Sequence, residues 1–346
     1  MRIIDPMDAY SACLSRFENE VEYLGNDKLV NTITPLVSVS VTAYRHKNFI
    51  SQCLDGILTQ QTNFPFEIIV GEDGSDDGTK DICISYAEKY RDKIRLFLRN
   101  RTTSQYYDYK GKFICMFNGQ WNRMSARGKY IALCEGDDYW TDNLKLQKQI
   151  DFLEANPGYV MCYHDALIED ENGVLISKSV CPDQYKRDYD SGDIIRCRTC
   201  IPTLTLCYRN VLKDLPPERH RVLNGDDFLT SLLGHYGHGK FMENIKAAVY
   251  RKHPGGIWSM ISESEKHIAH ITTWFWLNAY YQRMDQPEYA FAFTMKISKL
   301  TKTMNRTGPH GISFPNRCLL LIDFFLYKIL ARLKTSLSRF HINRNA

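Results

Sequence analysis

A chain of 346 residues, 44% hydrophobic and 24% charged, holds enough apolar material for one large domain with appendages, which excludes a disordered chain. The formal net charge of +4 gives no global basic field, so nucleic acid is not an expected partner and a nucleotide ligand would need a local site. The opening MRIIDPMDAYSACLSRFENE carries acids and a proline where a secretion signal has an unbroken apolar core. Eleven cysteines, scattered through segments of strand and helix character, point to a reducing, cytoplasmic compartment.

Residues 1–34 read as an N-terminal extension. Regular patterning begins at Pro35: the β-branched run Leu36–Thr42 predicts a strand, and Phe49, Ile50, Cys53, Leu54 and Ile57 put an apolar stripe on a helix over Lys47–Thr59. The alternation continues with a strand at Phe66–Glu72, a helix at Asp77–Tyr90, a strand at Ile94–Leu98, a helix at Phe113–Arg127 and a strand at Tyr130–Cys134. This order predicts an α/β fold with a mostly parallel sheet flanked by helices. Ligands of such sheets gather beyond the carboxyl ends of the strands. A helix over Thr141–Ala155 stops at Asn156-Pro157-Gly158, and Tyr159–Ala166 reads as a buried strand. Glu169–Arg198 is polar and turn-rich, as an acceptor loop, a lid or a plain surface excursion would be. Cys197 and Cys200 form the lone C-x-x-C, with Cys181 and Cys207 nearby; without a second such pair a structural zinc site is not expected. From residue 262 the chain becomes aromatic-rich helix, breaks near 308–311 and closes on a basic helix, so the expected units are 35–261 and a helical region 262–346.

Three acid clusters each precede a helix: Gly71–Thr79 (GEDGSDDGT), Glu135 to Asp138 within Ala126–Trp140 (ARGKYIALCEGDDYW), and Asp226 and Asp227 within Leu223–Gly237 (LNGDDFLTSLLGHYG). Asp and Ser ahead of a helix satisfy orphan N–H groups, so capping accounts for part of each cluster. Adjacent carboxylates at a strand end nevertheless repel one another unless a positive group joins them.

In this setting GEDGSDDGT resembles the nucleotide-recognition motif V-D-D-G-S-x-D-G-T of glycosyltransferase family two, with Glu72 in place of the first acid. ARGKYIALCEGDDYW resembles the family's A-x-G-x-Y-I-x-x-L-x-x-D-D segment, and VYRKHPGGIWS (Val249–Ser259) is similar to its Y-R-x-H-x-G-G-x-W-S stretch. The resemblance covers roughly Pro35 to Ser259 and implies a GT-A fold and inverting transfer of a sugar from a nucleoside diphosphate, a UDP-sugar by preference, to an acceptor hydroxyl in surface glycan synthesis. It implies that Asp73 accepts a hydrogen bond from the nucleobase and that Tyr44 lies against the base, with Thr42 and Arg45 where the family has proline and asparagine. Glu72 and Thr42 complete the nucleotide contacts, and Asp137 reaches the ribose or the sugar. A diphosphate leaving group calls for a hard divalent cation, Mn²⁺ or Mg²⁺. Asp138 is its implied ligand, His253 completes the metal shell or binds diphosphate, and Arg251 neutralises phosphate. Asp226 is the implied general base, with Asp227 the second choice.

Two rivals remain: a nucleotidyltransferase, whose glycine-rich phosphate loop AYRHKN lacks, and a scaffold that binds nucleotide or glycan without turnover. The absence of Q-x-x-R-W argues against a processive synthase. The apolar run Cys318–Ala331, broken by Asp323 and Lys328, is too short for the roughly 20 residues that cross a bilayer. With Arg317, Arg332, Lys334 and Arg339 around it, it suits a peripheral helix on the cytoplasmic face of the inner membrane, near a lipid-linked or other glycan acceptor. A helix packed on the domain or on a second copy in a homodimer fits equally.

Overall fold

Val37, Val39, Val41 and Ala43 point to one side of the second strand, Ser38 and Ser40 to the other, and all six are buried, as a central parallel strand requires. Around it the computed structural model describes residues 6–25, 31–107, 113–212, 214–222 and 224–306. Helix α1 (Pro6–Phe17) and strand β1 (Glu22–Tyr23) precede β2 (Val37–Ala43), α2 (Ile50–Leu58), β3 (Phe66–Glu72), α3 (Thr79–Lys89) and β4 (Ile94–Leu98). There follow a single turn α4 (Arg101–Ser104), the antiparallel pair β5 (Gln105–Tyr107) and β6 (Phe113–Met116), α5 (Asn118–Ser125), β7 (Tyr130–Leu133) and α6 (Lys145–Ala155). Next come β8 (Tyr159–Tyr163), β9 (Ala166–Asp170), β10 (Leu175–Ser177), α7 (Ser191–Ile195), β11 (Cys207–Arg209), α8 (Gly225–Leu233), β12 (His238–Phe241), β13 (Ala248–Lys252) and α9 (Ile257–Met260).

These strands build one eight-stranded sheet in the order β1-β4-β3-β2-β7-β11-β8-β12 and a small sheet β10-β9-β13. Strands β4, β3, β2 and β7 run parallel, and β11 is antiparallel to both of its neighbours. The expected mostly parallel α/β architecture is what the chain adopts. Apolar residues of α2, α3 and α6 form one core with the odd-numbered side of β2, while Asn122 of α5 donates to the Val41 carbonyl at 2.8 Å and covers the other side.

Three expected elements differ. The helix expected over Phe113–Arg127 starts only at Asn118, because 113–116 pairs with β5. The strand expected over Tyr159–Ala166 is two strands, β8 in the large sheet and β9 in the small one, with the chain changing sheets at His164 and Asp165. The turn-rich stretch Glu169–Arg198 carries β10 and α7.

The described chain divides into two compact units, Met1–Ile261 and from Ser262 onward. Strand β1 belongs to the first and pairs with β4. The second is described by α10 (Glu263–Arg283) and α11 (Pro287–Arg306). Its first helix opens on a capping box in which Ser262 and Glu265 satisfy each other's backbone N–H, and Tyr281 stacks on Phe293 at 5.8 Å. No described helix is long and apolar enough to cross a membrane, and the expected helix around Cys318–Ala331 lies outside the described residues.

At the amino-terminal edge of the sheet Glu67 is fully buried. Its carboxylate accepts from Ser38 Oγ (2.6 Å) and from the backbone N–H (3.0 Å) and Nε (2.8 Å) of Arg127. Removing one partner of such a network leaves buried charge uncompensated. We expect Glu67→Gln to lower unfolding free energy in urea by about 3 kcal/mol, with amide protection at the carboxyl ends of β2 and β3 retained in the folded protein.

Candidate active site

Two consecutive carbonyls at the exit of β2 tie down two of the acid clusters. Ala43 accepts the N–H of Asp73 and Thr42 accepts the N–H of Gly136, both at 2.9 Å. Since β3 and β7 flank β2, the two acid turns stand about 10 Å apart, twice the strand spacing, with Tyr44 to His46 leaving the strand between them. Gly136 fits only without a side chain: a Cβ there would lie 2.8 Å from His46 Nδ1 and 2.9 Å from the Thr42 carbonyl. Gly136→Ala should therefore cost about 1–3 kcal/mol of stability, read as a lowered thermal midpoint.

On the β3 side Asp73 is 2% exposed. Ser104 donates its hydroxyl to Oδ1, and Arg101 Nη1 sits 3.7 Å from Oδ2. The Arg101 guanidinium also lies 3.3 Å from the centre of the Tyr44 ring, in van der Waals contact with its face. Burial pushes the Asp73 carboxyl upward, and the Ser104 hydrogen bond and Arg101 oppose that shift. The other motif residues shape the loop. Glu72, expected at the nucleotide, turns back to accept the N–H groups of Gly74 (3.1 Å) and Ser75 (2.8 Å). Asp76 holds Arg45 through two bonds of 2.7 and 2.8 Å. Asp77 takes the N–H of Thr79 and of Lys47, and Ser75 Oγ takes the N–H of Arg45, a residue in the left-handed region at φ 56°. Thr42 stays half-buried in β2.

On the β7 side Asp137 Oδ2 lies 3.0 Å from His253 Nε2 and 3.8 Å from His46 Nε2. One donor atom from each of His46, Asp137 and His253 falls within 4.8 Å of the others, the metal-capable cluster among the described residues. Burial lowers the pKa of His46, which keeps its imidazole neutral and able to ligate. Asp138 faces elsewhere. It is 2% exposed, accepts the Arg251 N–H at 2.8 Å, and burial together with Asp137 and Glu135 drives its carboxyl well upward. The half-buried Glu135 keeps Oε2 buried with no hydrogen-bond partner; desolvation and the charge of Asp137 push it up to about 8.

Arg251, expected to neutralise phosphate, lies against the acid loop. Its guanidinium donates to the Asp137 carbonyl and to Gln52 Oε1, each at 2.6 Å. It is packed against Phe49 and Tyr139. The bridge between Tyr139 and Val249 joins that loop to β13, which delivers His253.

The third cluster opens α8. Asp226 is exposed, and its Oδ2 accepts the Thr203 hydroxyl at 3.1 Å. It lines a recess with Thr199, Ile201, Leu206, Asp227 and Thr230. The protein mass around it and the charge of Asp227 raise its pKa, and its charge is felt in turn at Glu135. Asp227 is half-exposed, and its backbone carbonyl accepts the Cys197 thiol at 3.5 Å.

The structure thus gathers Tyr44 with Asp73 and His253 with Asp137, and separates Asp138 from its neighbour. His46, Arg101 and Ser104 were not anticipated. The stretch Arg99–Tyr107 carries no periodic pattern, and His46 gains meaning only beside Asp137.

Residues 38–106 match the family described as Glycosyl transferase family 2. The uncharacterized protein Rv1520 of Mycobacterium tuberculosis is 33% identical over 224 residues, 64% of this chain and 60% of its own length. EpsE of Bacillus subtilis, a candidate glycosyltransferase by name, is 32% identical over 140 residues, 40% of this chain and 46% of its own. The chain therefore spans under two thirds of these curated relatives. Among solved structures, Staphylococcus aureus TarS 1–349 has a similar fold, with a TM-score of 0.54 at 19% identity over 84% of this chain and 80% of that one. The same fragment solved with UDP gives 0.53 at 18%.

Proposed function

We propose that this chain, whose residues 38–106 match glycosyltransferase family 2, moves a sugar from a nucleoside diphosphate to an acceptor hydroxyl with inversion at the anomeric carbon. One observation carries the reading: Tyr44 and Asp73, joined by Arg101, and a cation-capable cluster at His46, Asp137 and His253 share the end of one strand.

In this proposed nucleobase niche, Asp73 offers an acceptor beside the donor Arg101. That pairing suits a ring N–H next to a carbonyl, as uracil presents, and a base would stack by taking the place of the Arg101 guanidinium on Tyr44 or by lying over it. UDP-sugar is the preferred donor; guanine also has an N–H next to a carbonyl, so a donor panel should include GDP-sugars. The two imidazoles and one carboxylate would hold a divalent cation, with imidazole favouring Mn²⁺ over Mg²⁺. A cation bound there offsets the charge of the departing diphosphate. Asp137 takes the metal role in this reading, and Asp138 keeps the backbone of Arg251 in place.

Asp226 accepts the proton of the attacking hydroxyl. Thr203 fixes one of its carboxylate oxygens, the carboxylate opens on the recess, and its raised pKa makes it a stronger base than an ordinary aspartate. The acceptor is a glycan or lipid-linked hydroxyl in surface glycan synthesis. Residues 296–346 hold ten Lys and Arg against the single acid Asp323, which supports peripheral contact with the anionic cytoplasmic face of the inner membrane; pairing with a second copy is the other use such a segment could have.

Asp137→Asn should weaken Mn²⁺ binding in calorimetry by at least the roughly 10–100-fold seen when supporting residues of metal sites are lost, while Asp138→Asn leaves a measurable site. Equal binding in Asp137→Asn and wild type would refute the cluster.

Asp226→Asn should cut kcat by about 10²–10⁴-fold with UDP affinity unchanged. Since the base works deprotonated and its pKa is raised above 3.8, activity should fall as pH drops through a limb lying above the ordinary aspartate range. Wild-type kcat in Asp226→Asn would remove Asp226 from the reaction.

A further inference from the structure

The family match starts at residue 38, yet the segment before it reaches the nucleobase niche. Arg16, in the last turn of α1, donates through Nη1 to the carbonyls of Thr103 (2.8 Å) and Gln105 (2.9 Å), the two residues that flank Ser104. Glu20 accepts Arg99 Nε at 2.6 Å. Arg99 is 6% exposed and donates onward to the side chains of Asn118 and Asn122, where a Cβ on Gly71 would collide with it. The Cys13 carbonyl accepts Trp121 Nε1 at 3.1 Å, which fastens α1 to α5.

The strap Arg99–Tyr107 is therefore held at its start by Glu20 and near its end by Arg16. Between these points stand Arg101, on the Tyr44 ring, and Ser104, on Asp73. The α4 part of the strap adds little order of its own: it is a single turn of four residues, and one turn meets the nucleation cost of a helix with little propagation to offset it. Unpaired, Arg99 would be a desolvated cation, and burial already pulls its pKa down against the charge of Glu20.

We propose that the N-terminal segment, through Arg16 and Glu20, is a clasp that fixes Arg101 and Ser104 at the nucleobase niche, so that Arg16 and Glu20 are positioning residues for donor recognition. This rests on the donor-site reading above. Preorganisation of this kind lowers the ordering cost of binding, so its loss should appear in affinity and KM more than in kcat.

The test is titration of the full chain with UDP and Mn²⁺, with donor-sugar hydrolysis measured alongside. Arg16→Ala and Glu20→Gln should each weaken UDP binding about tenfold, or roughly 1.4 kcal/mol. Donor KM should rise in step while kcat stays within about twofold, and amide exchange at Thr103 and Ser104 should quicken. Arg16→Lys should recover part of the affinity. Glu22→Gln serves as the control: it removes the 2.8 Å pair with Arg95 from the same segment without touching the strap, and should leave UDP binding unchanged. Wild-type affinity in both clasp variants overturns the proposal, as does a loss that Glu22→Gln reproduces at equal cost in thermal midpoint. A wild-type chain that binds no nucleotide overturns the donor-site reading and the clasp with it, whereas binding in wild type and variants alike overturns the clasp alone.

Discussion

Everything at the carboxyl end of the sheet depends on the pair of carbonyls that β2 offers as it ends. Strand pairing would normally spend them on a neighbouring strand. Here β3 and β7 have just stopped, so Ala43 and Thr42 take the N–H groups of Asp73 and Gly136 in the turns beyond them. A hydrogen bond of this sort contributes only about 1 kcal/mol net, but its geometric effect is larger. It sets the height of each acid turn against the same strand, and the spacing of the two turns follows from the pitch of the sheet rather than from loop conformation.

The charges could not be concentrated there without distribution of labour among the acids. Of the acids in the first cluster only Asp73 meets Ser104 and Arg101, while Glu72, Asp76 and Asp77 hold backbone and cations of the surrounding loop. In the second cluster Asp137 meets two histidines and Asp138 turns inward to an amide. Each loop-holding carboxylate is satisfied locally, while burial first and the charge of Asp137 second raise the pKa of both Glu135 and Asp138.

Much of this was legible in the sequence. Strands β2, β3, β4 and β7 and the acid turns after them were marked by short-range periodicity, and parallel order followed from alternation. Legibility failed where a side chain's meaning comes from a distant partner. His46 looks like any loop histidine until Asp137 and His253 arrive. Arg101 and Ser104 lie in a patternless stretch ordered by a helix some 85 residues earlier in the chain. Asp137 and Asp138 are chemically identical neighbours, so only backbone direction decides which faces the histidines. Arg251 carries the right charge for phosphate, but its guanidinium is enclosed by Phe49, Tyr139 and Gln52. The helix expected over Phe113–Arg127 failed for a similar reason, since pairing with β5 outweighed local propensity.

The switch of sheets at His164 and Asp165 has a consequence of its own. His46 and Asp137 ride on the large sheet, whereas His253 rides on β13 of the small one. The seam between the sheets is closed there by the Tyr139–Val249 bridge and the grip of Asp138 on Arg251. Any ion seated on these three residues is therefore a rivet across the seam, and its affinity is thermodynamically coupled to how firmly the two sheets dock. Chelation would loosen the joint, and strain applied to the small sheet from its exposed β10 edge would be felt as a change in ion affinity.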